Sequence, residues 1–210
     1  MPRVIIIGGP NGAGKTTFAS AYLSIDREIT AFVNADEISR ELAVMNLPAS
    51  LTNVRAARAM LERIDKLIEA GTDLVLETTL ASLTYAQKIP VWQRLGYHVS
   101  LIYIRLPSLE DSLERVRRRI AAGGHAIPEE VIRRRFGKSL HYLEDYYKQI
   151  VDEWEIGIAL KVISDGQKRG TTDVEAPGQK QGRAGVQASG ARCRFRQQGC
   201  ARWQVYGAKG

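Results

Sequence analysis

Cysteine is nearly missing from this chain of 210 residues: Cys193 and Cys200 are the only two, and residues 1–165 contain none. Two cysteines can build neither a disulfide framework nor a four-thiolate metal site, and a Cys-x6-Cys pair without nearby histidines is a weak metal signal. No apolar run approaches the ~20 residues that a membrane helix needs, so no membrane contact is expected. The opening MPRVIIIGG lacks the basic segment and long apolar stretch of a secretory signal, so a cytoplasmic location is expected. Excess charge is missing from most of the chain as well. Residues 1–165 hold 21 Lys+Arg against 21 Asp+Glu, and the net +7 arises from residues 166–210, with 9 against 2. A neutral body argues against a nucleic-acid partner for residues 1–165.

What is present is 44% hydrophobic and 25% charged residues, enough for one principal core. We place it in residues 1–165. Residues 166–210 carry 9 of the 19 glycines and no sustained period, which predicts a disordered basic tail. The alternative for this tail is a nucleic-acid arm, with Arg192, Arg194, Arg196 and Arg202 interleaved with Phe195 and Trp203.

Within the body, strand-like and helix-like segments alternate. RVIIIG is a continuous apolar run that predicts a buried strand, followed by a helix from Lys15 to about Leu23. ITAFVN predicts a second strand and DEISRELAVM a helix. The stripe Val54, Ala57, Leu61, Ile64 and Ile68 predicts a helix closed by Gly71. LVLET and HVSLIYIRL are the next strands, separated by a stretch from Leu83 to Leu95 that Pro90 should interrupt. Leu109, Leu113, Val116 and Ile120 space a further helix, another starts at Pro128, and ALKVIS at 159–164 supplies a fifth strand. Alternation of this kind predicts an α/β fold: a parallel five-stranded sheet with helices on both faces.

Directly after the first strand stands GPNGAGKTT, where Gly9, Gly14, Lys15 and Thr16 match G-x-x-x-x-G-K-[ST]. Glycines at 9, 12 and 14 let successive N–H groups turn inward around phosphate oxygens, and the following helix adds its positive end. The whole run Gly9, Pro10, Asn11, Gly12, Ala13, Gly14, Lys15, Thr16 and Thr17 is the candidate ATP site. Lys15 reaches for the β and γ phosphates, and the Thr16 hydroxyl suits Mg²⁺. Asp36 closes VNAD at the carboxyl end of the second strand, where a carboxylate can take the proton of an acceptor hydroxyl; its structural reading is an acid in the first turn of a helix. Glu77 ends LVLE beside the phosphate loop and is a candidate for Mg²⁺ or for the acceptor, and Thr79 for the acceptor.

ERVRRRIAAGGHAIPEEVIRRRF, from Glu114 to Phe136, reads as two basic helices joined by a glycine-proline loop, a lid over about residues 115–135. Arginines brought over a transferring phosphoryl group stabilise its charge while closure excludes water. Helical projection puts Arg115 and Arg119 on one flank of the apolar stripe and Arg118 toward solvent. We expect at least two of Arg119, Arg134 and Arg135 to touch phosphates, and His125 to be a loop hydrogen-bonder.

Together, GGPNGAGKTTFA, VNADEI, LETTLAS and RVRRRIAAGGHAIPEEVIRRRF resemble the short members of the zeta-toxin family of P-loop kinases, over about residues 3–155. The resemblance implies a nucleoside-monophosphate-kinase-like fold. It implies ATP·Mg²⁺ on Lys15 and Thr16, Asp36 as the base on the acceptor hydroxyl, Thr79 near the acceptor, and lid arginines among Arg119, Arg134 and Arg135. It further implies phosphorylation of a hydroxyl of a small molecule, UDP-N-acetylglucosamine in the characterised toxins, and allows an antitoxin protein as partner. Two departures stand out: Leu80-Ala81-Ser82 replaces an arginine that the larger toxins carry, and EIGIALKVISDGQKRG replaces the usual last turn and strand. Transfer to a polynucleotide 5′ end or an antibiotic hydroxyl, and a nucleotide-dependent regulatory ATPase module, remain the alternatives.

Overall fold

A computed structural model describes residues 1–35, 37, 38, 41, 49–124, 126–159 and 203–207. Strand β1 (Arg3–Gly8) leads through the glycine-rich loop into helix α1 (Lys15–Ile25), then β2 (Ala31–Asn34) and α2 (Ala49–Glu69). There follow β3 (Leu74–Thr78), α3 (Thr84–Arg94), β4 (His98–Arg105), α4 (Leu109–Ala121) and α5 (Glu129–Tyr142). A π-helical turn at Leu143–Tyr147 and a short α6 (Lys148–Ile150) return the chain to β5 (Glu153–Ala159), and β6 spans Trp203–Gly207.

The sheet order is β2-β3-β1-β4-β5-β6, with every pair parallel except β5–β6. Because successive residues of a strand face opposite sides, the apolar runs feed two cores. Val4, Ile6, Leu74, Leu76, Val99 and Leu101 pack with α2, α3 and the π turn, while Ile5, Ile7, Val75, Ile102 and Ile104 pack with Phe18 and Ala19 of α1. The five parallel strands and two helical layers are those expected from the alternation of segments.

Four boundaries differ from the sequence reading. Helix α3 runs unbroken through Pro90, because Tyr85, Ile89 and Trp92 bury one face against the sheet and outweigh the lost backbone bond. Its N-terminus has no side-chain cap of its own; the buried Tyr147 hydroxyl meets the Tyr85 and Ala86 amides and donates to Ser82 O at 2.7 Å. Burial pushes the Tyr147 phenol up to about 12. The fifth strand is already formed at Glu153–Ala159, because Asp152 locks onto Val99 through both its amide and its carboxylate and the chain enters the sheet at once; of the expected 159–164, all but Ala159 lie outside the described residues. Residues 203–207, which composition assigned to a tail without structure, form β6 on the edge of β5, where a row of unpaired N–H and C=O groups receives the WQVYG segment. On α2 the buried stripe is Ala56, Met60, Ile64 and Ile68, one turn apart, whereas Val54 is exposed.

The turn after α2 is closed from a distance. The Tyr97 hydroxyl lies 3.3, 3.1 and 3.2 Å from the carbonyls of Leu67, Ile68 and Thr72, reinforcing a turn in which Gly71 N–H and Thr72 N–H already bond back to Ile68 O and Leu67 O. Tyr97→Phe should lower stability by about 1 kcal/mol without affecting ligand binding, as chemical denaturation will show.

Candidate active site

Sheet register assembles the site. Gly8 lies opposite Thr78 and Ile7 opposite Glu77 on one side of β1, and Asn34 at the end of β2 lies opposite Glu77. The three carboxyl ends therefore meet where the glycine-rich loop leaves β1, on the edge of a parallel sheet where ligands lie.

The loop adopts the geometry its glycines permit. Gly9, Gly12 and Gly14 have φ of 145°, 76° and 82°, and Gly14 caps α1 without any side-chain hydrogen bond. No acidic residue stands in the first turn of α1, so its orphan N–H groups and positive end remain directed at the loop. A Cβ on Gly9 would sit 2.4 Å from Ile104 O. Gly9→Ala must displace backbone in a region L residues avoid, and should cost at least about 3 kcal/mol in denaturant-induced unfolding.

Lys15 is 7% exposed, donates from Nζ to Pro10 O at 3.1 Å, and lies 3.8 Å from Glu77 Oε1. Thr16 Oγ1 donates to Glu77 Oε2 at 2.8 Å, and Asn34 Nδ2 donates to the same oxygen at 2.7 Å. Thr17 faces solvent. The Thr16 hydroxyl and the Glu77 carboxylate form a hard-oxygen pair of the kind Mg²⁺ accepts when phosphates and waters complete its shell, so the donor set fits that ion. Among the described residues no cluster of three His, Cys, Asp or Glu offers an all-protein metal cage. Cys193 and Cys200 lie outside the described residues, as do Asp36 and His125.

A cavity of about 550 Å³ opens from this point. Lys15, Glu77, Thr79, Arg119, Arg134 and Arg135 all line it, so six of the sequence-predicted side chains share one space. Asn34 and Ala35 line it too, immediately before Asp36 in the chain. Ala57 and Leu61 of the α2 stripe line this cavity together with the buried Ala56 and Met60, and Leu61 also packs against the core.

The two basic helices are α4 and α5, held together by Leu113, Val116 and Ile132. Arg118 pairs with Glu114 on the solvent side, as projection anticipated. Arg117 at 2.9 Å and Arg133 at 2.6 Å clasp Glu129 across the two helices. Hydrogen bonds from Arg133 and Arg117 hold the Glu129 carboxyl below the usual glutamate range, so this clasp is complete above that range and is lost as pH falls through the lowered value.

Sequence reasoning missed Ser112. It is fully buried on α4, and its hydroxyl donates to Asn11 O at 2.7 Å, while Arg115 Nη2 donates to Ala159 O at 3.1 Å. The first lid helix is thereby rooted on the phosphate loop and on β5. Only the i,i+3 spacing of Ser112 from Leu109 and Arg115 hinted at an inward face. Ser112→Ala should leave the Asn11 carbonyl without its donor and weaken ATP affinity about tenfold, read by calorimetry. Leu80 is fully buried at φ 52° and covers Gly8. It shapes the loop that carries Thr79.

A strand, glycine-rich loop and helix in this order, beside a cavity that Arg119, Arg134 and Arg135 of the two basic helices line, define a P-loop NTPase fold of the kinase-like kind. The chain belongs to the AAA_33 family of AAA domains, whose sequence profile matches residues 4–140. It is similar to an uncharacterised protein of Haemophilus influenzae, 25% identical over 134 residues, which are 64% of this chain and 92% of that one. In structure it is similar to the PezAT chromosomal toxin-antitoxin system of Streptococcus pneumoniae, with a TM-score of 0.55 and 23% identity over 75% of this chain and 69% of the other. It is also similar to a putative kinase from Chloroflexus aurantiacus, with a TM-score of 0.51 and 18% identity over 62% and 74%. Among the described residues no helix is long and apolar enough to cross a membrane.

Proposed function

We propose that the protein is an ATP-dependent phosphotransferase that moves the γ-phosphoryl group to a hydroxyl of a small molecule. The observation that carries this reading is the shared cavity. It places the phosphate-loop lysine, the Glu77 carboxylate and three arginines around a space large enough for an acceptor beside a triphosphate. A switch or slow hydrolase needs the loop; it does not need such a space.

In this reading the loop amides and Lys15 bind the β and γ phosphates, and Thr16 with Glu77 holds Mg²⁺, which neutralises charge on those phosphates when bound. The acceptor oxygen attacks the γ-phosphorus, the bond to the β–γ bridging oxygen breaks, ADP leaves, and the hydroxyl proton passes to the Asp36 carboxylate. Thr79 contacts the acceptor. Arg119, Arg134 and Arg135 meet the charge that shifts onto the transferring group, and the lid excludes water. The motif resemblance and the structural likeness to a toxin-antitoxin protein favour UDP-N-acetylglucosamine as acceptor and a protein antitoxin as partner.

Incubation with γ-labelled ATP, Mg²⁺ and a panel of UDP-N-acetylglucosamine, aminoglycosides and 5′-hydroxyl oligonucleotides tests the proposal. Label should appear on a small-molecule hydroxyl, and on UDP-N-acetylglucosamine if the finer assignment holds. Label on the oligonucleotide alone would assign a polynucleotide kinase, and release of phosphate with no labelled acceptor would favour the regulatory ATPase.

A further inference from the structure

Resting on the ATP·Mg²⁺ reading above, we propose that Asn34 is a positioning residue that sets the direction of the Thr16 hydroxyl through Glu77. Parallel pairing of β2 with β3 puts Asn34 directly opposite Glu77, so the two side chains leave the sheet on one face. Asn34 is 5% exposed and the Glu77 side chain 11%, so what little surface they keep lies on the wall of the cavity. Their contact, 2.7 Å from Nδ2 to Oε2, is a charge-assisted bond on the wall of the cavity.

Thr16 donates to that same Oε2 at 2.8 Å. A hydroxyl has a single proton, and spending it on Glu77 turns the oxygen lone pairs away from the carboxylate. A cation on Thr16 needs those lone pairs. Glu77 decides where they point, and Asn34 decides where Glu77 Oε2 stands. The other carboxylate oxygen, Oε1, is thereby left on the side of Lys15.

The phosphate-loop pattern contains Lys15 and Thr16 and says nothing about β2. The contribution of Asn34 arises from strand order and register alone. Its predicted effect is confined to the cation: the loop amides and Lys15 bind phosphate without it, whereas Thr16 binds Mg²⁺ with its help. Partners that orient a metal ligand in this way typically matter by about 10–100-fold in metal affinity.

The test is calorimetric titration of ATP into the full-length wild type, Asn34→Ala, Glu77→Gln and the double variant, with millimolar Mg²⁺ and again in EDTA. Asn34→Ala should weaken ATP binding about tenfold with Mg²⁺ and less than about twofold in EDTA. The double variant should be no weaker than Glu77→Gln alone, because the effect of Asn34 passes through Glu77. Asn34→Gln, which keeps the amide donor on a stem longer by one methylene, should recover part of the loss and serves if the alanine variant does not fold. Equal losses with and without Mg²⁺, no loss, or additive effects in the double variant would each overturn the assignment. A wild type that binds ATP·Mg²⁺ but transfers it to no acceptor would count against the proposed activity and leave this comparison decisive.

Discussion

Lys15→Met should give a folded protein whose phosphoryl transfer is slower by about 10²–10³-fold. The methionine keeps the volume of the buried stem, and Glu77 retains the donors on Thr16 and Asn34, so the site does not collapse. What disappears is the one ammonium that lies between the loop and the Glu77 carboxylate, 3.8 Å from Oε1. In the proposed transfer that charge faces the oxygens of the transferring group, where its loss is felt most. Single-turnover kinetics with γ-labelled ATP check the size of the effect, and a thermal melt close to that of the wild type confirms the fold.

The second large effect falls on Asp36. Asp36→Asn should lower kcat by about 10²–10⁴-fold, the usual worth of a positioned base, while ATP·Mg²⁺ affinity stays within about twofold. An amide keeps the size and polarity of the group and removes its capacity to take a proton. Asn34 and Ala35, the two residues before it in the chain, line the same cavity as Lys15 and Glu77. A regulatory module would lose little in either respect, so the pair of measurements separates the two kinds of protein.

How much of this was readable in the chain varies with the distance over which each feature is encoded. The first strand, loop and helix are legible because apolar run, glycine spacing and Lys15-Thr16 lie within about fourteen consecutive residues, and local geometry follows from them. The lid helices are legible for the same reason. Asn34, Ser112 and Tyr147 are not, because their roles come from partners 43, 101 and 65 residues away and depend on strand register and helix seating. The apolar period of α2 locates the helix but does not separate its faces: Ala56, Ala57, Met60 and Leu61 all line the cavity, and an apolar wall for a ligand reads the same as an apolar wall for a core. Strand β6 is hidden for a further reason. Composition predicts whether a segment can build its own core, and an edge strand borrows one from the sheet it joins.

The claim on which the rest depends is that the turn after β1 grips a triphosphate. Titration of the full chain with ATP in millimolar Mg²⁺, followed by calorimetry, tests it without any knowledge of the acceptor. Binding should be saturable at one nucleotide per chain and weaken at least about tenfold in Lys15→Met. A flat titration with ATP and with GTP, or binding that Lys15→Met leaves intact, would contradict it.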